Sequence, residues 1–447
     1  MKLRIALAAL CAAASAAAQE PAPAAPQPRA RIIALEEAVR TARERQPQLR
    51  QAHAGAEAAT ARADEARAPL LPQLLGTAQY QRATGNFVPR PGSVPASVAG
   101  RGGTSLAMSN FWSFGATLSQ LIYDFGQTSG RWRAALASAE AQHDTERSTV
   151  LQTVLGARVA YFNARAARDL VGVARDNLAN QEAHLRQTEG FVKIGTRPEI
   201  DLALARTARA NAEVQLINAE NGYDTAKAQL NQAMGVEGPT DYDIANDTLP
   251  SVDGEDQRID PLLAEALQHR PDIGALDEQA RAQELTLRAA QGGYGPALGV
   301  SAGLTDAGTA LDQTVANWNA TVTLTWNLFQ GGLTRAQAQE ARANLDSARA
   351  QIDTLRQQVR VEVEQARLGV RAAKGALSAA GEALVNAREQ LRLAEGRYQA
   401  GAGSAIELGD AQVALTTAAA QRVQAEYNLS TSRAQLLRAL GREVPAT

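Results

Sequence analysis

The sequence predicts a mainly α-helical protein with a β-barrel part, in which one structural plan is written twice. Three observations carry this. Long stretches rich in Ala, Gln, Arg and Glu place apolar residues at steps of three and four, the period of a helix packed on other helices. Shorter segments switch to strict alternation: Trp318, Ala320, Val322, Leu324, Trp326 and Leu328 are separated by Asn319, Thr321, Thr323, Thr325 and Asn327. The third is a repeat. Trp112, Tyr123, Gly126, Glu189, Gly190, Gly195, Ile200 and Gly235 recur 206 residues later as Trp318, Phe329, Gly332, Glu395, Gly396, Gly401, Ile406 and Gly441.

The N-terminus stands outside that plan. Lys2 and Arg4 precede an apolar run over 5–18, and Ala16-Ala17-Ala18 supplies a small-residue cleavage site, so 1–18 reads as a secretory signal peptide. The Pro/Ala-rich stretch 19–31 reads as a flexible lead. The only cysteine, Cys11, lies inside the signal, so the exported chain has no disulfide or thiolate metal site. Bulky Leu10 and the short apolar run before Cys11 speak against a lipid anchor there. A net charge of -2 gives no sign of a nucleic-acid partner. With 4% aromatic residues and a mean hydropathy of -0.26, much of the apolar content is alanine, which suits close-packed helices.

The first repeat spans 32–235: a helix at 35–67, strands at 72–82 and 111–123, a long helix at 127–189 and a returning helix at 198–234. A loop-like linker occupies 236–260, with room for one short strand. The second repeat, 261–441, follows with a helix at 261–292, strands at 297–305 and 318–328, a long helix at 334–396 and a returning helix at 405–440; 442–447 is a short tail. Early in each repeat a second offset applies, 224 residues, matching "RQPQL" at 45–49 to "HRPDI" at 269–273 and Pro72 to Pro296. The two offsets differ by 18 residues, which places a Gly/Pro-rich loop insertion at 82–109 of the first repeat.

The strands are two-faced. Leu298, Val300, Ala302 and Leu304 share one face, as do Trp112, Phe114, Ala116 and Leu118, with Ser, Thr and Gly between them. Such strands suit a barrel that is greasy outside and wet inside. Trp318 and Trp326 are ~26 Å apart at the usual strand rise, the height of a membrane barrel's apolar band. Trp112, Trp318 and Trp326 are therefore the candidate membrane-facing aromatic girdle, in contact with outer-membrane lipid. A soluble sheet facing a protein core is the alternative. Four strands cannot close a barrel in lipid, so several copies must pool theirs; two copies leave a filled interior and three leave a channel. Two uncharged stretches, 102–123 and 313–334, are too rich in Ser, Thr, Asn, Gln and Gly to be membrane helices.

The helices form hairpins. Leu345, Ala348, Ile352, Leu355 and Val359 alternate steps of three and four, and after one stutter to Val363 the seam resumes through Ala366 and Val370 to Tyr398. Both hairpin turns carry helix-start signals: Thr196-Arg197-Pro198-Glu199 and Ser404-Ala405-Ile406-Glu407 read as capping boxes, giving Thr196, Glu199 and Ser404 as caps. Glu407 and Asp410 are three residues apart and share one helix face. Ringed around an axis they would attract cations; alternatively Glu407 only completes its cap and offsets the helix dipole.

With these features together the chain resembles the TolC family of trimeric outer-membrane efflux ducts. The residues that carry the resemblance are "LLPQL" at 70–74, "LIYDFGQTSGR" at 121–131, "RPDI" at 270–273, "WNLFQGG" at 326–332 and "YQAGAGSAIELGDAQ" at 398–412, with the repeat itself. The resemblance implies a homotrimer: a 12-stranded transmembrane β-barrel continued by a long α-helical barrel in the periplasm. It also implies docking to a periplasmic adaptor and an inner-membrane pump, as in multidrug efflux or type I secretion. At the periplasmic tip it assigns Glu407 and Asp410 to an acidic gate ring, and Tyr398 and Asp201 to a closing network. Gly403 stands where some members have the network arginine, and Arg197 on the neighbouring turn is the candidate substitute.

Nothing in the sequence supports an enzyme or a cofactor. His53, His143, His184 and His269 sit singly without metal-ligand spacing, and Gly401-Ala402-Gly403 lacks the preceding strand of a phosphate loop. The rival reading is a periplasmic coiled-coil adaptor or scaffold without a pore, which would explain the heptads and leave the two-faced strands unexplained. Cargo is open.

Overall fold

The computed structural model describes residues 31–84 and 108–442. The signal peptide, nearly all of the lead 19–31, most of the insertion at 82–109 and the tail from 443 lie outside the described residues. The lead's last residue, Arg31, opens a strand, β1 (Arg31–Ile33), that the composition did not announce. Its partner is β4 (Tyr242–Ile244) in the linker, and the two pair in parallel.

The helix expected over 35–67 is broken in two, α1 (Leu35–Arg45) and α2 (Pro47–Arg67). Proline pushes the residue before it out of the helical region, and Gln46 is extended at φ -61, ψ 121. The helix expected over 261–292 divides the same way, into α5 (Ile259–His269) and α6 (Pro271–Gly292), with Arg270 at φ -77, ψ 121. Each break receives the end of a returning helix. Helix α4 (Glu199–Met234) ends at Gly235, whose missing Cβ would stand 2.7 Å from the Gln46 Cα. Helix α8 (Ala405–Ala439) is followed by Gly441, against the His269 carbonyl and the Arg270 nitrogen. Thus α1, α2 and α4 together line one long helix, α3 (Gln127–Lys193), and the second repeat does the same along α7 (Leu333–Gln399). Each long helix has 67 residues, about 100 Å. The heptad seam read along α7 is buried at Leu345, Ala348, Ile352, Val359, Val363, Ala366, Val370 and on to Tyr398.

The main sheet comprises β2 (Gln73–Thr84), β3 (Met108–Tyr123), β5 (Ala297–Gly308) and β6 (Val315–Thr325), in the order β2-β3-β5-β6 and antiparallel throughout. Its register sets apolar residues side by side: Leu74 with Leu118, Leu118 with Ala302, and Ala302 with Ala320. One face therefore carries Leu, Ala, Val, Phe and Trp, and the other mainly Ser, Thr, Gly, Gln and Asn. No residue of this sheet belongs to a core cluster among the described residues, and β6 is exposed along its whole length. Within one chain, therefore, no described protein core covers the apolar face, which the soluble-sheet alternative calls for. Helices follow the strands in the same lateral order, α2-α3-α6-α7. No described helix is long and apolar enough to cross a membrane.

The strand expected over 318–328 is displaced to Val315–Thr325. Its last ladder pair is Thr325 with Ala297, and the next residue on the partner side, Pro296, has no N–H to continue the ladder. Trp326 therefore lies beyond the strand, where its indole N–H donates to the Tyr294 carbonyl at 3.1 Å. The corner between β3 and α3 holds Phe125 at φ 55, and the equivalent residue of the second repeat is Gly331 at φ 61. An aromatic residue tolerates this left-handed backbone because its ring fills the notch at Gly295, where a Cβ would stand 2.3 Å from it.

Midway along the helices lies the largest core. Tyr161, Phe162, Leu230, Met234, Ile244, Leu262, Val359, Val363, Leu436 and Leu440 close it, drawn from both repeats and the linker. Glu255 of the linker is buried there and pairs with Arg433 at 3.0 Å and Lys374 at 2.7 Å. Burial alone would raise its carboxyl, but hydrogen bonds from Arg433, Lys374 and the Val252 N–H hold it down to about 2.

Candidate gate at the helical tip

The far ends of the two helical hairpins are built alike. Gly195 ends α3 and Gly401 ends α7, both at φ 77, the left-handed geometry that lets the last carbonyls of a helix be satisfied. In the first turn the Thr196 N–H donates to the Phe191 carbonyl at 3.0 Å. In the second, the Ala402 and Gly403 N–H groups both donate to the Arg397 carbonyl, at 2.9 and 3.0 Å.

The capping residues divide. Ser404 Oγ accepts from the Glu407 N–H at 3.1 Å and caps α8. Thr196 is corrected: it caps nothing at the start of α4, where the residue before Glu199 is Pro198 in extended conformation with no side-chain cap. Its hydroxyl turns back and donates to the Phe191 carbonyl at 2.9 Å, closing the end of α3 instead. Glu199 stands in the first turn of α4, where a carboxylate offsets the helix dipole.

Tyr398 is the buried centre of the tip, 1% exposed. The Arg197 guanidinium stands 4.4 Å from the centre of its ring and donates to the carbonyls of Tyr398, at 3.2 Å, and Gly403, at 3.1 Å. Asp201 lies 4.0 Å from Arg197. Arg197, Asp201 and Tyr398 are thus brought together within one chain. A side chain at Gly403 has no room, since its Cβ would meet the Tyr398 nitrogen at 3.0 Å and the Arg397 carbonyl carbon at 3.1 Å. Arg197 and Gly403 are equivalent positions of the two repeats, so the arginine is present on the other copy of the same turn.

Glu407 and Asp410 are not part of that cluster. The Glu407 carboxylate lies 3.4 Å from the Arg397 guanidinium, so it does not close a capping box on Ser404. Asp410, one turn further along α8, is exposed and makes no ion pair among the described residues.

Beneath Tyr398 runs a polar seam that sequence reasoning missed. Gln181, His184 and Thr188 share one face of α3. The Gln181 amide donates to Gln412 at 3.0 Å, and the Thr188 and Tyr398 hydroxyls are 3.4 Å apart. His184 meets the Tyr398 ring edge-on at 5.2 Å, and its Nδ1 is buried without a hydrogen bond. Burial lowers the His184 pKa, and the nearby Asp201 charge partly offsets this. The only signal in the sequence was the spacing of three polar residues on one helix face.

At the other end of the molecule, Trp318 is 81% exposed on the apolar face of β6 and Trp326 is exposed just beyond the strand's last residue. Trp112 is half-covered by Tyr80, with ring centres 4.5 Å apart. Among the described residues no group of His, Cys, Asp and Glu could hold a metal ion.

The chain matches the sequence family described as outer membrane efflux protein over residues 38–236 and 262–442. It is 29% identical over 194 residues to the toluene efflux pump outer membrane protein TtgF of Pseudomonas putida, covering 42% of this chain and 38% of the relative. It is also 29% identical over 333 residues to the outer membrane protein TolC of Escherichia coli, covering 69% of this chain and 62% of the relative. The chain therefore spans less than two thirds of the length of either. The outer membrane channel CmeC of Campylobacter jejuni has the same fold, with a TM-score of 0.79 at 20% identity over 91% of this chain and 85% of that one.

Proposed function

This chain belongs to the outer membrane efflux protein family, and we propose that it serves as a passive exit duct in the outer membrane, opened at its helical tip by a periplasmic adaptor and an inner-membrane pump. The observation that carries this is the four-stranded sheet. It has a mainly apolar face, a mainly polar opposite face and two unpaired edges, β2 and β6. Open edges are not tolerated in lipid. Three copies joined edge to edge close a twelve-stranded barrel with the apolar face outward and room for a channel. The matching order α2-α3-α6-α7 continues each sheet as a wall of helices, so the same closure makes a helical tube.

Trp318 and Trp112 then sit toward the outer rim of the apolar band and Trp326 at its inner rim, where indole rings prefer the lipid–water boundary. At the opposite end Arg197, Asp201 and Tyr398 hold the two hairpins of each copy together, and Glu407 and Asp410 ring the constriction. The toluene named for one relative belongs to that relative's pump. A duct of this construction imposes little choice of its own on cargo. The pore-less adaptor accounts for neither the lipid-type sheet nor the family match.

Single-channel conductance of the purified protein in a planar bilayer tests the reading, beside the Glu407→Ala/Asp410→Ala variant. A small cation-selective conductance that rises in the variant is expected. Folded, membrane-inserted protein without channels would overturn the duct, and equal channels from both proteins would move the gate away from α8.

A further inference from the structure

We infer that Arg397 sets the ion preference of the tip by neutralising Glu407, so that the cation attraction of the constriction rests on Asp410 alone. The inference rests on the duct reading above and adds a residue to it. Three observations support it. The Arg397 backbone is held by the turn, because its carbonyl takes the N–H groups of both Ala402 and Gly403. The Glu407 backbone is held by the Ser404 cap on its N–H, and the two partly exposed side chains meet at 3.4 Å.

The second observation is the repeat. Asp201 is the equivalent of Glu407 in the first hairpin, and it too has an arginine, Arg197, at 4.0 Å. Both turns thus place an acid at the same point of the returning helix and supply it with a guanidinium, from different positions in the turn. The third is the exception to this pairing. The equivalent of Asp410 in the first repeat is Leu204, and Asp410 itself is exposed without an ion pair among the described residues. Of the two acids on that face of α8, one is compensated and one is free.

A charge ring acts on permeant ions through its net charge and its distance from the axis. A guanidinium beside each Glu407 cancels most of that residue's field beyond a few ångströms, while Asp410 acts undiminished. Arg397 is therefore a positioning and compensating group.

The test is the reversal potential of single channels under a potassium chloride gradient, for the full-length protein and four variants. Arg397→Gln unmasks Glu407 and is expected to raise the cation-to-anion permeability ratio about twofold or more. The double variant Arg397→Gln/Glu407→Gln is expected to return to the parent ratio, and Asp410→Asn to lose most of the preference. Arg397→Lys keeps the charge and is expected to match the parent, which separates a charge effect from a disturbed turn. An unchanged ratio in Arg397→Gln overturns the inference, as does a double variant with a lower ratio than the parent. The duct reading survives either result, since channels are still seen. Absence of channels from every protein overturns both.

Discussion

The Arg197 guanidinium lies 4.4 Å above the Tyr398 ring and joins two turns that are equivalent in the repeat and far apart in the chain. A planar fork suits this place because it stacks on the ring while donating to two carbonyls, at 3.2 and 3.1 Å. Replacing it with alanine removes the stacking and both hydrogen bonds, roughly 2 kcal/mol from the packing between the two turns. Arg197→Ala is therefore expected to raise the channel's open occupancy about tenfold or more, and Arg197→Lys to rescue it only in part. Single-channel recording reads both; equal occupancy in the parent and Arg197→Ala would place the closing contact elsewhere.

His184 makes the same contact sensitive to acid. Its pKa is lowered in this arrangement of the tip from the ordinary 6.5, chiefly by burial, with Asp201 acting in the opposite direction. A group depressed in this way favours this packed arrangement of the tip fully above its ordinary pKa, and that contribution is lost as pH falls. Protonation also adds a second cation beside Tyr398, where Arg197 already sits and Asp201 is the counter-charge. Conductance is expected to rise as pH is lowered from 7.5 to about 5.5, the range in which an imidazole takes up its proton. In His184→Gln the rise is expected to vanish. A variant that keeps the full pH response would assign it to carboxylates instead.

Much of this architecture was legible because it is periodic. The α7 seam from Leu345 to Tyr398 repeats over many turns, and the alternation around Trp318 marks a two-faced strand. Features set by a distant partner were not legible. The end of β6 depends on Pro296 across the ladder, so Trp326 read as strand when it is not. Pro47 and Pro271 were in plain view, yet the helical pattern continues across each of them, and the breaks became meaningful only with Gly235 and Gly441 docked on them. At the tip, Arg197 could be named because the family resemblance expects an arginine where Gly403 stands and the neighbouring turn carries one. His184 and Gln181 could not, since Gln181 finds its partner Gln412 231 residues away.

The docked glycines should be among the least replaceable of the described residues. Gly235 and Gly441 combine a left-handed backbone, φ 66 and 70, with no space for a Cβ against the helix breaks. Gly401 has φ 77 and open space around it. Gly401→Ala bears conformational strain alone, about 1 kcal/mol, whereas Gly235→Ala and Gly441→Ala must also move backbone, costing about 3 kcal/mol or more. Thermal unfolding in detergent is expected to rank them in that order. Equal losses at all three positions would mean that the breaks adapt and the close approach carries no weight.

Glu255 gives the midsection a distinct response to acid. Its side chain is 4% exposed, and Arg433 holds both of its oxygens, at 3.1 and 3.0 Å. With its folded pKa held near 2 against an ordinary 4.5, it contributes stability that is complete above 4.5 and is lost as pH falls toward 2. The size is on the order of 3 kcal/mol. Glu255→Gln removes that contribution and leaves Arg433 and Lys374 without their shared carboxylate, so it is expected to unfold at lower temperature than the parent at pH 7. The gap should close as pH is lowered from 4.5 to 2.5, because the parent then protonates the same site. If the gap stays constant over that range, the Glu255 carboxylate is not the group that ties the linker to α7 and α8.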